Sequence, residues 1–296
     1  MSARIKDGVT VMKNVYIIGG GPAGVSAALY AKRGGLETHL IYMKKSSLGM
    51  AHQIDNYYGA PGVTGQELYE RGLKQAADLG VDMIEEEVLG ISFEEKFTIT
   101  TAENRYECDY LILATGAFRN RPAIKGIREF EGKGVSYCAV CDGFFYRKKK
   151  VAVLGNATYA AHEAEYLSRI AEKVYVLTNG KAPEDEALKN YEVIEKKIAS
   201  IEGEVKIAKA VFEDGEELAL DGMFVALGSA GSVELARKMG ILVDASNKIV
   251  VNENRETNIP GVYAAGDAVD GIMQVNKAVY DGMLAAQDII RKQKGS

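Results

Sequence analysis

Three cysteines occur in 296 residues, and two of them, Cys138 and Cys141, stand in the run SYCAVCDGFFY (136–146) with Asp142 directly behind. Cysteines in a C-x-x-C pattern fit three chemistries: half of a zinc site, a structural disulfide, or a dithiol that works by exchange. Zinc would need Cys108 and His162 as the remaining ligands, whereas structural zinc sites join two closely spaced ligand pairs. Cys108 stands in YECDYLIL, at the start of an expected strand, where cysteine behaves as a small buried hydrophobe. No metal is expected. A structural disulfide suits oxidising compartments, and here it would close too short a loop to stabilise much. A working dithiol needs a thiolate, and the C-x-x-C arrangement lowers the pKa of one cysteine. A neighbouring acid can protonate a leaving thiolate, so Asp142 fits general acid–base work. The plain alternative for Asp142 is a helix or turn cap.

The elements that must carry this segment follow from the pattern around it. NVYIIGGGPAGVSAALYAKRGG (14–35) reads as a strand over Asn14–Ile18, a tight turn, and a small-residue helix from Pro22 to Arg33. Gly19, Gly21 and Gly24 fit G-x-G-x-x-G. The first makes the turn, the second lets a pyrophosphate approach the backbone, and the third lets helix and sheet pack closely. ETHLIY (37–42) is the second parallel strand. The acidic residue expected about 20 residues on, for a ribose hydroxyl, is missing: the sequence there is YMKKSS, with Met43, Lys44 and Lys45. VTGQELYERGLKQAADLG (63–80) is a helix, with Thr64 and Glu67 spaced as a capping box. Short alternating strands then lead into the buried run YLILATGA.

From 151 the pattern repeats: strand, turn and helix in KVAVLGNATYAAHEAEYLSRI, a strand in KVYVLTN, a hairpin turned at EDGEE (213–217), and a strand ending in FVALG. After Gly240 the composition shifts, and NIPGVYAAGDAVDG with a final amphipathic helix completes the first unit rather than the second. The expected fold is α/β, with two nested Rossmann-like, three-layer dinucleotide-binding domains, the second inserted in the first. The expected boundaries are 1–117 with 246–296 for the outer domain and 118–245 for the inner one.

Composition excludes several classes. The chain is 47% hydrophobic and 26% charged, as a globular core requires. Its net charge of −5, from 36 basic and 41 acidic residues, gives no nucleic-acid footprint. No apolar run reaches the roughly 18–20 residues that span a bilayer. The N-terminal MSARIKDGVTVMK lacks a signal-peptide apolar region. Together with the cysteine count, this leads us to expect a cytoplasmic protein with no membrane partner. Basic residues cluster at FRNRPAIKGIR (118–128) and YRKKK (146–150), on both sides of the cysteine pair.

The set GGGPAG (19–24), IDNYYG (54–59), ATGA (114–117), CAVCDGFFY (138–146), GVYAAGDA (261–268) and MQVNKAVYDG (273–282) resembles the low-molecular-weight thioredoxin reductases from Asn14 to about Arg291. The resemblance implies FAD in the outer domain. It places Gly19, Gly21, Pro22, Ala23 and Gly24 at the pyrophosphate, with Met43, Lys44, Thr115, Gly116 and Gly266 along the cofactor. Asp267 would meet the ribityl or phosphate region. Asn56, Met273, Gln274 and Val275 match positions around the flavin ring. Members usually carry Arg where Met273 stands, Glu near Lys44, and GGQ where this chain has SSL. The resemblance further implies that Cys141 faces the flavin, that Cys138 attacks a thioredoxin disulfide through a mixed disulfide, and that the protein is a homodimer.

Ordinary members take hydride from NADPH in the inner domain, and three features there differ. VLGNATYA (153–160) has Gly155, Asn156 and Ala157 where a glycine-rich loop belongs, and the Cβ of Ala157 takes space that a pyrophosphate needs. TNGKAPED replaces an arginine-rich segment. SAGS follows Gly228 in place of a polar segment. We therefore expect no NAD(P)H binding and a donor other than nicotinamide, and the chain looks like the pyridine-nucleotide-independent, ferredoxin-dependent flavin thioredoxin reductases. Ferredoxin gives single electrons, flavin holds one or two, and a disulfide takes two. Ferredoxins are generally acidic, so Arg119, Arg121, Lys125, Arg128, Arg147, Lys148, Lys149 and Lys150 are candidate docking residues. The competing readings are an NAD(P)H-dependent thioredoxin reductase with an atypical site, an FAD-dependent dithiol oxidase that passes electrons to oxygen, and a flavin-bearing redox sensor.

Overall fold

The computed structural model describes residues 5–6, 9–10, 13–44, 46–116, 122–137, 139–227 and 231–294, with backbone only for 5, 6, 9, 10, 50, 140 and 141. A two-stranded ribbon (β1, Ile5–Lys6; β2, Val9–Thr10) comes first. Then β3 (Asn14–Ile18), α1 (Pro22–Arg33), β4 (Glu37–Tyr42), α2 (Gly65–Asp78) and β5 (Asp82–Glu85) follow. A meander of β6 (Val88–Phe93), β7 (Phe97–Thr101) and β8 (Arg105–Cys108) leads to β9 (Tyr110–Leu113). The inner run is β10 (Val135–Ser136), α3 (Ala139–Asp142), β11 (Lys150–Leu154), α4 (Thr158–Ser168), β12 (Lys173–Leu177) and β13 (Glu192–Ile194). It continues with β14 (Ile198–Gly203), β15 (Ile207–Phe212), β16 (Glu217–Ala219) and β17 (Gly222–Val225). The chain ends with α5 (Ser232–Lys238), β18 (Val262–Ala264) and α6 (Val275–Lys294).

The duplication is a matter of strand order. The outer parallel sheet runs β18-β9-β3-β4-β5 and the inner one β10-β17-β11-β12-β13. Each carries a three-stranded antiparallel companion, β6-β7-β8 or β14-β15-β16. In both sheets the first glycine loop leaves the central strand, β3 or β11, between neighbours reached by opposite crossovers. That is the switch point where α/β sheets bind ligands. The central strands are buried on both faces, so they read as unbroken apolar runs. The outer sheet obtains its edge strand only from β18, after the insertion, whereas β10 precedes its own sheet.

Two compact units result, 1–118 with 231–296 and 119–230. The return to the outer unit therefore comes at 231, not 246, which corrects the expected boundary. Gly240 has φ +73° and closes α5 as the residue after its C-cap, Met239. The composition shift there ends a helix rather than a domain. The Thr64–Glu67 capping box forms in both directions, and Gly215, φ +85°, turns the β15–β16 hairpin. Cys108 ends β8 instead of opening a strand, and it is fully buried.

Candidate functional site

The outer glycine loop separates two physical demands. Gly19 takes φ +114° and donates its N–H to Ile41 O at 2.8 Å. A Cβ on it would lie 2.4 Å from Ala114 O, and one on Gly24 would lie 1.8 Å from Gly19 O. The protein's own packing requires those two glycines. Gly21 differs: a Cβ there would meet nothing within 4 Å. It is the N-cap of α1, with no side-chain cap and no acid in the first turn, and Pro22 follows at the first helical position. The loop thus leaves bare N–H groups and open space at a positive helix end, as a diphosphate requires.

Helix α6 runs beside α1 in the same sense, with Gly282 against Ala23 and Ile290 against Gly34. Ser26 Oγ donates to Val279 O at 2.7 Å. Gly266, at φ +72°, presses on Ala23, where a Cβ would come within 2.9 Å. Its N–H donates to Asp281 Oδ2 at 3.1 Å and its carbonyl accepts from Lys277 Nζ at 2.7 Å. Asp281 is fully buried and also paired with Arg255 at 2.7 Å and Lys277 at 2.9 Å. This network shapes the turn carrying Asp267. The Asp267 carbonyl is held by Lys248 at 2.6 Å, while its carboxylate has no hydrogen-bond partner among the described residues. At the start of α6, Asn56 Nδ2 donates to Gln274 Oε1 at 2.8 Å, and Asn276 Nδ2 to Asn56 O at 3.2 Å. Asn56, Gln274 and Val275 are thereby brought together, with Met273 beside them and 63% exposed.

At the sheet edge, the Met43 carbonyl accepts from Tyr69 OH at 2.6 Å, and Lys44 pairs with Glu85 at 3.0 Å. Glu85 stands at the end of the neighbouring strand, β5. Thr115 closes the other side of the switch point, its N–H and hydroxyl meeting Ser232 Oγ at 3.0 and 2.7 Å. Gly116 takes φ +84°. Sequence reasoning missed Asp281, Lys277 and Arg255. The available signal was Gly282 inside a long helix, which marks a close helix approach. An open cradle at Gly21, an uncapped helix end and the unpartnered Asp267 fit an FAD.

The inner loop keeps the first position and loses the rest. Gly155 N donates to Leu177 O at 3.0 Å, and a Cβ on it would lie 2.2 Å from Ala226 O, repeating Gly19. Asn156 is only 8% exposed. Its Nδ2 donates to Glu184 Oε1 at 3.0 Å and Ala182 O at 3.3 Å, and Glu184 N donates back to Asn156 O at 2.6 Å. The segment 182–184 therefore lies on the loop and brings a carboxylate with it. Ala157 is the N-cap of α4 and has no cap bond. Ser232, expected in this nucleotide region, instead bonds Thr115 in the outer unit, which corrects that placement; Ser229 and Ala230 lie outside the described residues.

Around the cysteines, Cys138 lies outside the described residues, and Cys141 is in α3. Ser136 Oγ donates to Asp142 Oδ2 at 2.6 Å, and Asp142 makes no capping bond, so the cap reading is set aside. Asp142 also helps, after burial, to raise the Tyr146 phenol above its ordinary range. Ala139 N donates to Glu163 Oε2 at 2.8 Å from a carboxylate 1% exposed. Phe144 and Phe145, just behind, are 70% and 68% exposed. Cys108 is a poor metal ligand, since burial and then Asp109 push its thiol up to about 12. Lys125, Arg128, Arg147, Lys148 and Lys150 are exposed, Lys149 lies over the Tyr146 ring, and Arg119 and Arg121 lie outside the described residues.

A parallel sheet with a glycine loop at its switch point, an inserted second copy and a C-x-x-C segment on that copy define a class, the pyridine nucleotide-disulphide oxidoreductases. The pattern of that family matches residues 13–282. The thioredoxin reductase of Treponema pallidum is 36% identical over 92% of this chain and 94% of its own, and that of Aquifex aeolicus 35% over 86% and 85%. Among solved structures, the atypical thioredoxin reductase TRi from Desulfovibrio vulgaris Hildenborough is 37% identical with TM-score 0.87, covering 96% of this chain and 99% of that one. A ferredoxin-flavin thioredoxin reductase from Clostridium acetobutylicum is 33% identical with TM-score 0.72, covering 96% and 99%. The chain belongs to the low-molecular-weight thioredoxin reductase family, a family of flavoenzymes, and this membership implies FAD. Among the described residues no helix is long and apolar enough to cross a membrane.

Proposed function

We propose that this protein reduces the disulfide of thioredoxin with electrons that enter from reduced ferredoxin, not from NAD(P)H. The observation that carries the reading is the Asn156–Glu184 contact, which fills the inner loop and sets a carboxylate where a diphosphate would need bare N–H groups. Of the three competing readings, the nicotinamide-dependent one draws support from Gly155, whose turn is kept.

An FAD bound in the outer unit would supply two-electron reduction of the Cys138–Cys141 disulfide, leaving both cysteines as thiols or thiolates. The Cys138 thiolate then attacks thioredoxin, forming a mixed disulfide and expelling one thioredoxin thiolate. Cys141 attacks Cys138, the second thioredoxin thiolate leaves, and the Cys138–Cys141 bond re-forms. Asp142, oriented by Ser136, supplies the proton to a departing thiolate. The loop shaped by Gly19 and Gly24 and open at Gly21 would hold the diphosphate, with Asp267 at the ribityl or phosphate region, and Asn56, Gln274 and Val275 would meet the ring. The exposed Lys125, Arg128, Arg147, Lys148 and Lys150 are the candidate docking residues for an acidic ferredoxin. We place the enzyme in the cytoplasm as a homodimer.

The test is thiol production from thioredoxin with reduced ferredoxin as the sole donor. Cys138→Ser should abolish it while ferredoxin still reduces the flavin; loss of both reactions would contradict the role given to Cys138. Asp142→Asn keeps an acceptor for Ser136 and should slow exchange by about 10²-fold.

A further inference from the structure

The hydrogen bonds at Asp267 fall on its main chain and leave its carboxylate alone. Two peptide planes meet at its Cα, and a lysine ammonium holds the carbonyl of each. Lys277 Nζ donates to Gly266 O at 2.7 Å, and Lys248 Nζ to Asp267 O at 2.6 Å. An ammonium bonds more strongly to a carboxylate than to a neutral carbonyl. Among the described residues, neither lysine is bonded to the Asp267 carboxylate. Each residue has only two soft backbone dihedrals. Holding both planes therefore fixes the direction in which the Asp267 side chain leaves the chain.

Both lysines are themselves anchored. Lys277 stands one helical turn before Asp281 on α6, with its ammonium 2.9 Å from that buried carboxylate, and it also reaches Val269 O at 3.3 Å. Asp281 accepts the Gly266 N–H and meets Arg255, so the cluster grips Gly266 from both polar ends of its backbone. Lys248 donates its own N–H to Asp244 Oδ1 at 2.9 Å, and the next N–H, of Ile249, donates to Ala268 O at 2.9 Å. Buried ion pairs add little to stability, so the geometry this cluster imposes is where its use lies. We propose that Lys248 and Lys277 are positioning residues for FAD: by holding the peptide planes on either side of Asp267 they aim its carboxylate at the cofactor and keep it unpaired for that contact. The proposal rests on the reading of Asp267 as an FAD contact and is independent of the electron donor.

The experiment is a double-mutant cycle on FAD affinity, read by equilibrium dialysis of the holoenzyme. Lys277→Met removes the ammonium, keeps an apolar stem and leaves Asp281 paired with Arg255. Lys277→Met and Asp267→Asn should each weaken FAD by about 10-fold, the scale of one charged hydrogen bond. The double variant should also lie near about 10-fold, because a lysine that acts through the Asp267 carboxylate then has nothing left to aim. A loss near about 100-fold in the double variant, the product of two independent effects, overturns the proposal. Unchanged affinity in Lys277→Met overturns it as well. Unchanged affinity in Asp267→Asn removes the placement of Asp267 at the cofactor and the proposal with it, and so is told apart from a failure of the lysines alone. Should Lys277→Met fail to fold, Lys248→Met takes its place in the cycle, with the same outcomes deciding.

Discussion

Two glycine loops leave the central strands of two sheets with the same strand order, and they differ beyond their first glycine. At Gly19 and Gly155 the backbone does the same thing: an N–H to the adjacent strand and a Cβ-free contact with a carbonyl, Ala114 O or Ala226 O. That contact shapes the fold and survives in both. The next positions face the ligand, and there the loops part. Gly21 opens onto empty space as the N-cap of its helix, whereas its counterpart Ala157 carries a Cβ and Asn156, just before it, is buried and bonded to Glu184. The turn glycine that the sheet needs is thus kept in both loops, while the open glycine at the helix start, Gly21, has Ala157 as its counterpart in the inner loop.

The strongest break of the comparison is Gly24→Val. Its side chain would start 1.8 Å from Gly19 O, and the chain should fail to accumulate as soluble protein, a cost of about 4 kcal/mol or more. Gly21→Val, three residues earlier, should fold with a far-UV spectrum like wild type yet purify with little flavin, its FAD affinity down by about 100-fold or more. Equal damage from both would erase the distinction drawn between packing and ligand glycines.

A smaller effect sharpens where the outer unit resumes. Burial pushes the Glu234 carboxyl in α5 up to about 7 from an ordinary 4.5, outweighing the opposing pull of backbone hydrogen bonds at Glu234 and Gly231 and of the Arg237 and Lys238 charges. Its Oε2 has no hydrogen bond among the described residues. The folded chain therefore holds a proton that the unfolded chain releases. Stability from this group is full below about pH 4.5 and is lost as pH rises through about 7, a change on the order of 3 kcal/mol. Glu234→Gln should flatten that part of the pH–stability curve, read by urea unfolding between pH 5 and 8.5. A curve as steep as wild type would contradict the burial of Glu234 in this unit.

The smallest effect belongs to the inner loop. Glu184→Ala removes one acceptor from Asn156 and should cost about 1 kcal/mol in chemical unfolding. FAD content and ferredoxin-driven turnover should not change. A large loss of turnover would show that the strap serves catalysis and not closure.

Much of this was legible in local sequence. The glycine loops, the capping box at Thr64 and the hairpin at Gly215 depend on residues a few positions apart, whose conformational demands are intrinsic. The C-x-x-C with Asp142 was legible for the same reason, although the Ser136 bond that removes the cap reading was not. What the sequence hid was non-local. The Asp281 network joins residues from 255 to 281 under Gly266, and Asn156 meets Glu184 only because β12 and the loop after it return over α4. Gly240 misled because a glycine closing a helix and a glycine in a linker look alike until the helix before it is seen.

The central claim is that the outer loop holds a redox cofactor while the inner loop admits no nicotinamide nucleotide. It is tested most directly by mixing the oxidised, FAD-loaded protein anaerobically with NADPH, with NADH and with reduced ferredoxin, and following the visible absorbance of the flavin. The account predicts rapid bleaching by ferredoxin and none by either nucleotide. Rapid bleaching by NADPH or NADH would contradict it.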